Sequence, residues 1–164
     1  MKKLLLIFAV VASLSCSKEP KTSFSKEALA EELTTLDGST LTFEKILSQS
    51  KGKPILIEVW ASWCSDCVKS MPDFKKLQAA NPNVNYMFIS MDKAADKWKA
   101  GIEKHQLKGL HYWAPDGMKG AFGAAIDLDW IPRYIVVDKN GKVALYRAVE
   151  TDFDKIDSVL KNLK

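Results

Sequence analysis

The chain has 164 residues with 24 basic, 20 acidic and two histidine side chains, a net charge of +4. No basic stripe calls for nucleic acid, and 47% apolar residues without a repeat or low-complexity run exclude a disordered or fibrous chain. Setting aside residues 1–15, which carry Lys2 and Lys3 and no acid, leaves 22 basic against 20 acidic side chains, a balanced surface.

Lys2 and Lys3 precede an apolar run over residues 4–12. Nine apolar residues are too few to span a bilayer, so residues 1–15 read as a signal peptide rather than an anchor helix. They run into Ser13-Leu14-Ser15-Cys16, which resembles a bacterial lipobox, where the cysteine is lipidated and becomes the mature N-terminus. Ser13 departs from the aliphatic residue usual there, and ordinary cleavage near Ser15 is the alternative. Residues 16–23, short and polar with Pro20, are expected to be the lipidated cysteine and its tether, and residues 24–164 a single domain.

Within that domain, Ala28, Leu29, Glu32 and Leu33 have helical spacing, which predicts a helix over residues 24–36 ended by Asp37-Gly38. A short strand at 40–43 and a helical turn to about residue 50 lead into Lys51-Gly52-Lys53-Pro54, a turn. Ile55–Trp60 is a near-continuous apolar run broken only by Glu58, the pattern of a strand buried on both faces. Val68, Met71, Phe74 and Leu77 then recur at helical spacing, with Pro72 inside the pattern as a matter of shape. After Asn81-Pro82-Asn83 come a second β-type run at 84–91, Asp92 placed to cap a helix at 93–106, and a short strand at 110–113. A Gly-rich segment at 117–126 holds a brief helix. Strands at 133–138 and 142–147 flank Lys139-Asn140-Gly141, a strong hairpin signal, and a last helix starts at Thr151. Strands alternating with helices and closed by a hairpin predict an α/β fold, a central mixed β-sheet with helices on both faces.

The chemistry sits where the central strand hands over to a helix. Cys64 falls at a helix N-terminus, where free N–H groups and the helix dipole favour thiolate. Cys67, one turn on, shares its face and can attack a disulfide formed by its neighbour. The alternatives are a short structural disulfide or half of a zinc site with His105 and His111. The 37 residues between the halves hold a full helix and strand, unlike the compact spacing of structural zinc. Glu58 is expensive in an apolar strand unless hydrogen-bonded or protonated, and burial raises its pKa toward that of a proton shuttle. Its alternative is an edge position that reaches water.

Trp60-Ala61-Ser62-Trp63-Cys64-Ser65-Asp66-Cys67 after a buried strand, Pro72, and Ile131-Pro132 before a hairpin strand resemble the thioredoxin superfamily. The N-terminal extension, an insertion near 107–130 and the lipobox-like start resemble its membrane-anchored TlpA/ResA-like thiol–disulfide oxidoreductases. The resemblance covers about residues 38–164 and implies a thioredoxin-like fold. It further implies Cys64 as attacking thiol, Cys67 as resolving thiol, and Pro132 as a cis-proline facing the pair. Glu58 takes the place of the buried acid, a general base for Cys67 acting through a water. Trp63, Trp130 and Ile131 are expected around Cys64 as an apolar landing surface. No cofactor beyond the redox-active Cys64–Cys67 disulfide is implied. The implied partners are protein disulfides, a membrane electron donor and the membrane itself through the lipid, on the periplasmic side of the cell envelope, with cytochrome c maturation as one pathway.

Three departures mark this chain. The residues between the cysteines are Ser65-Asp66 rather than Gly-Pro, Ser70 stands where ResA-like members carry glutamate, and residues 84–91 contain no lysine. The Asp66 charge opposes a neighbouring thiolate, which predicts a potential nearer thioredoxin's (about −270 mV) than that of DsbA (about −120 mV). Alternatively Asp66 only caps the helix. A peroxidase of this fold needs Pro and Thr where Ile57 and Ala61 stand. A dithiol oxidase or isomerase is separated from a reductase only by potential, and a non-catalytic binding module by an inaccessible cysteine pair.

Overall fold

The computed structural model describes residues 21–163, so the expected signal peptide, Cys16 and the start of the tether lie outside the described residues. The elements in chain order are α1 (Lys26–Ala30), β1 (Glu32–Thr35), β2 (Thr40–Thr42), α2 (Phe43–Gln49), β3 (Ile55–Trp60) and α3 (Ser65–Ala80). They continue as β4 (Asn85–Ser90), α4 (Ala95–His105), β5 (Leu110–Trp113), α5 (Ala121–Ala125), β6 (Arg133–Val137), β7 (Val143–Ala148) and α6 (Phe153–Asn162). The seven strands form one sheet in the order β2-β1-β5-β4-β3-β6-β7. β3 pairs in parallel with β4 and antiparallel with β6, so the sheet is mixed, as expected.

All six residues of β3 are buried, which is what its apolar run demands of a central strand. Register places Tyr134, Glu58, Phe88 and His111 side by side across β6, β3, β4 and β5. Helix α3 covers this row through Phe74, whose ring stacks on Tyr134 at 5.9 Å and meets Phe88 at 5.3 Å. A second aromatic group joins the segment ahead of α1 to α2 and α5, with Phe43 edge-on to Phe24 at 4.8 Å and to Phe122 at 5.2 Å. The Asn-Gly hairpin forms as read: Asp138 accepts from the N–H groups of Asn140 and Lys142, and Gly141 takes φ +90°. No helix among the described residues is long and apolar enough to cross a membrane.

Two local expectations are corrected. The helix read over 24–36 stops at Ala30, and Glu32–Thr35 is a strand instead. Ser25 caps α1, but the following residues find a stronger partner than further helical turns: Thr34 and Thr35 pair with Trp113 and Tyr112 on the edge of β5. Two β-branched residues at the end of the segment favour that outcome. The second correction concerns Asp92, which does not cap α4. Ala94 occupies the N-cap with no side-chain hydrogen bond, and Asp92 turns inward, fully buried. The last helix begins at Phe153, two residues after the expected Thr151, with Asp152 as its N-cap residue. At the other end, the Thr22 carbonyl accepts from the Val143 N–H at 2.9 Å, so the last residues of the expected tether run against β7.

Candidate active site

The turn between β3 and α3 is held from beneath. The Asp92 carboxylate accepts from the Ser62 N–H at 3.0 Å, the Ser62 hydroxyl at 2.6 Å and the Ser90 hydroxyl at 2.8 Å. Its own carbonyl accepts from the Trp113 indole N–H at 2.6 Å. Gly101 of α4 packs so closely that a Cβ there would lie 2.7 Å from Ser62 Cβ and 3.0 Å from the Trp60 ring. Trp60 is fully buried, as a core residue.

This turn delivers Cys64 to the N-cap of α3, where its sulfur accepts from the Cys67 N–H at 3.1 Å. The two cysteines form a disulfide with Cα atoms 5.3 Å apart. Cys64 keeps 6% of its surface exposed and Cys67 none. Facing them, the Ile131–Pro132 peptide is cis, and the Ile131 carbonyl oxygen lies 3.5 Å from Cys64 Sγ. Arg133 closes the loop behind it, donating to Asp129 at 2.6 Å and to the Arg147 carbonyl at 2.9 Å. Trp63 and Trp130 stand 59% and 53% exposed, whereas the Ile131 side chain is buried. Of the three residues expected around Cys64, two present exposed indoles and Ile131 presents its backbone carbonyl. Ser65 is exposed, and Asp66 lies 3.8 Å from Lys69 at the surface.

Glu58 is buried with 1% exposure in the centre of the sheet, not at an edge. Loss of solvent pushes its carboxyl up to about 8 from 4.5, opposed by a hydrogen bond from Tyr134. Oε1 lies 3.4 Å from the Tyr134 hydroxyl, and Oε2 is a buried oxygen with no hydrogen-bond partner. Tyr134 in turn lies 3.3 Å from the Ser70 hydroxyl, which donates to the Cys67 carbonyl at 2.9 Å. Tyr134 carries no signal in the sequence, because an aromatic two residues past Pro132 in a hairpin strand reads as core. His111 lies in β5, stacked on Phe88 at 5.0 Å, while His105 ends α4. Among the described residues, no group of three His, Cys, Asp or Glu side chains is placed to hold a metal.

A dithiol pair at a helix N-terminus opposite a cis-proline is an arrangement that exchanges disulfides. The Redoxin family model matches residues 18–160. The chain belongs to the Redoxin family. With its Cys64–Cys67 pair, this Redoxin chain is a thioredoxin-like thiol–disulfide oxidoreductase of the ResA kind. It is 26% identical to the thiol–disulfide oxidoreductase ResA of Bacillus cereus over 99% of each chain. It is 24% identical to the soluble secreted antigen MPT53 of Mycobacterium tuberculosis, over 81% of this chain and 73% of that one. A secreted Mycobacterium tuberculosis disulfide oxidoreductase, homologous to Escherichia coli DsbE, shares the fold with a TM-score of 0.60 at 20% identity. That match covers 85% of this chain and all of the other.

Proposed function

We propose that the protein is an exported reductase of protein disulfides in which Cys64 attacks and Cys67 resolves. The observation that carries this reading is the asymmetry of the pair: Cys64 keeps 6% of its surface exposed and directly follows the exposed Trp63, whereas Cys67 keeps none. In the reduced protein the Cys64 thiolate, steadied by the Cys67 N–H, attacks one sulfur of a substrate disulfide. The substrate S–S bond breaks, a Cys64–substrate disulfide forms, and one substrate thiolate leaves. An extended substrate segment lies against Trp63 and Trp130 and meets the backbone of Ile131, held by Pro132. Cys67 then gives its proton through a water to ionised Glu58, and its thiolate attacks Cys64 Sγ. The second substrate sulfur leaves as thiolate, and the protein is left as the Cys64–Cys67 disulfide. Two electrons from a dithiol donor restore it.

Glu58 suits the base role because burial holds its proton affinity near neutral pH. The apolar leader with Lys2 and Lys3, and secreted relatives, support an extracytoplasmic setting. In this reading Cys16 carries the lipid that tethers the domain beside a membrane electron donor. Cytochrome c maturation is one pathway that fits such a reductase. Cys67→Ser tests the function: mixed disulfides through Cys64 should accumulate in cells and vanish in the Cys64→Ser control. Equal capture by both variants would reject the assignment. Fractionation of Cys16→Ser reads the anchor, which is rejected if membrane association is unchanged.

A further inference from the structure

Glu58, Tyr134, Ser70 and Cys67 form a continuous polar thread between strand and helix, with every member at least 93% buried. We propose that Tyr134 and Ser70 are positioning residues, a hydroxyl relay that sets how readily Glu58 holds its proton and links that proton to the turn carrying Cys67. The inference deepens the reading of Glu58 as the acceptor of the Cys67 proton and rests on it for its place in the reaction.

Ser70 Oγ commits its proton to the Cys67 carbonyl at 2.9 Å. The Tyr134 hydroxyl owns one proton and has two oxygens at nearly equal distance, Glu58 Oε1 at 3.4 Å and Ser70 Oγ at 3.3 Å. With Glu58 protonated, the carboxyl donates to Tyr134, Tyr134 to Ser70, and Ser70 to Cys67, so every bond points toward the helix. With Glu58 ionised, Tyr134 turns its proton to the carboxylate, and Ser70 loses the donor it had. Burial, then the Glu58 charge, hold the Tyr134 phenol far above its ordinary range, so it stays neutral in both states. In the same row as Glu58, His111 of β5 stacks behind Phe88 at 5.0 Å. β4 presents Phe88 opposite Glu58, with Tyr86 further along donating to the Asn81 carbonyl. Glu150, ahead of α6, adds to the upward push on Tyr134.

The two hydroxyls therefore act on Glu58 with opposite sign. Tyr134→Phe takes a donor from the ionised carboxylate, while Ser70→Ala removes the acceptor that competes for the Tyr134 proton. The test is carboxyl NMR titration of Glu58 in the full, oxidised chain labelled on glutamate. Tyr134→Phe should raise the midpoint by about one pH unit and Ser70→Ala lower it by about half of one. Midpoints that stay fixed, or that move in the same direction in both variants, overturn the relay. The pH profile of mixed-disulfide resolution provides the second readout, with midpoints following the same order. Opposite NMR shifts beside a Glu58→Gln variant that resolves at the wild-type rate would support the relay and reject the base role alone.

Discussion

Replacing Glu58 by Gln removes a carboxyl that titrates near 8 in the fold and near 4.5 when released. A raised acid binds its proton more tightly in the native state, so stability is greatest below about 4.5 and declines as pH climbs toward 8. Above that, both states are ionised and the loss is complete. Each pH unit of separation is worth about 1.4 kcal/mol, so the full loss is about 5 kcal/mol, of which about half falls between pH 5 and pH 7. Full burial means that no solvent screening reduces this figure. Urea unfolding of the oxidised protein and of Glu58→Gln, at half-unit steps from pH 5 to 8, isolates the term. Every other titrating group cancels in the difference between the two proteins. The amide's own unsatisfied N–H adds a constant that does not vary with pH. Relative to wild type, Glu58→Gln should gain about 2–3 kcal/mol between pH 5 and 7. A difference flat with pH would refute the placement of Glu58 as a buried, protonated acid.

Two further outcomes follow from the turn that carries the cysteines. Gly101→Ala drives a methyl to within 2.7 Å of Ser62 Cβ. Overpacking of about 1–3 kcal/mol outweighs about 1 kcal/mol of helix propensity, so the variant should be less stable and exchange disulfides more slowly. A more stable variant with unchanged exchange, by denaturant melts and a reductase assay, would contradict the close packing. Asp66→Asn removes a charge that opposes the Cys64 thiolate and should raise the potential by about 10–20 mV, a modest change because Lys69 already lies 3.8 Å away. Titration against glutathione and dithiothreitol reads it, and a wild-type value near about −150 mV would mark an oxidant rather than a reductase.

The parts of this molecule that local sequence carries are those decided by near neighbours. The apolar run of β3 fixes a central strand, and the cysteines directly behind it must then start a helix, so Cys64 at the N-cap is legible without coordinates. Helix α1 is shorter than its spacing suggests because that spacing is ambiguous locally, and the open edge of β5, far along the chain, decides that Thr34 and Thr35 extend. Asp92 failed for a related reason. Its position fits a cap equally well, and only the approach of Ser62, 30 residues earlier, turns it inward. The same separation hides the polar thread: Tyr134 meets Glu58 across 76 residues and Ser70 across 64. Residue types announce a dithiol because two cysteines need only each other. The polar groups threaded beneath it come from a strand far along the chain, where a tyrosine looks like any other core aromatic until the register places its hydroxyl against a carboxylate.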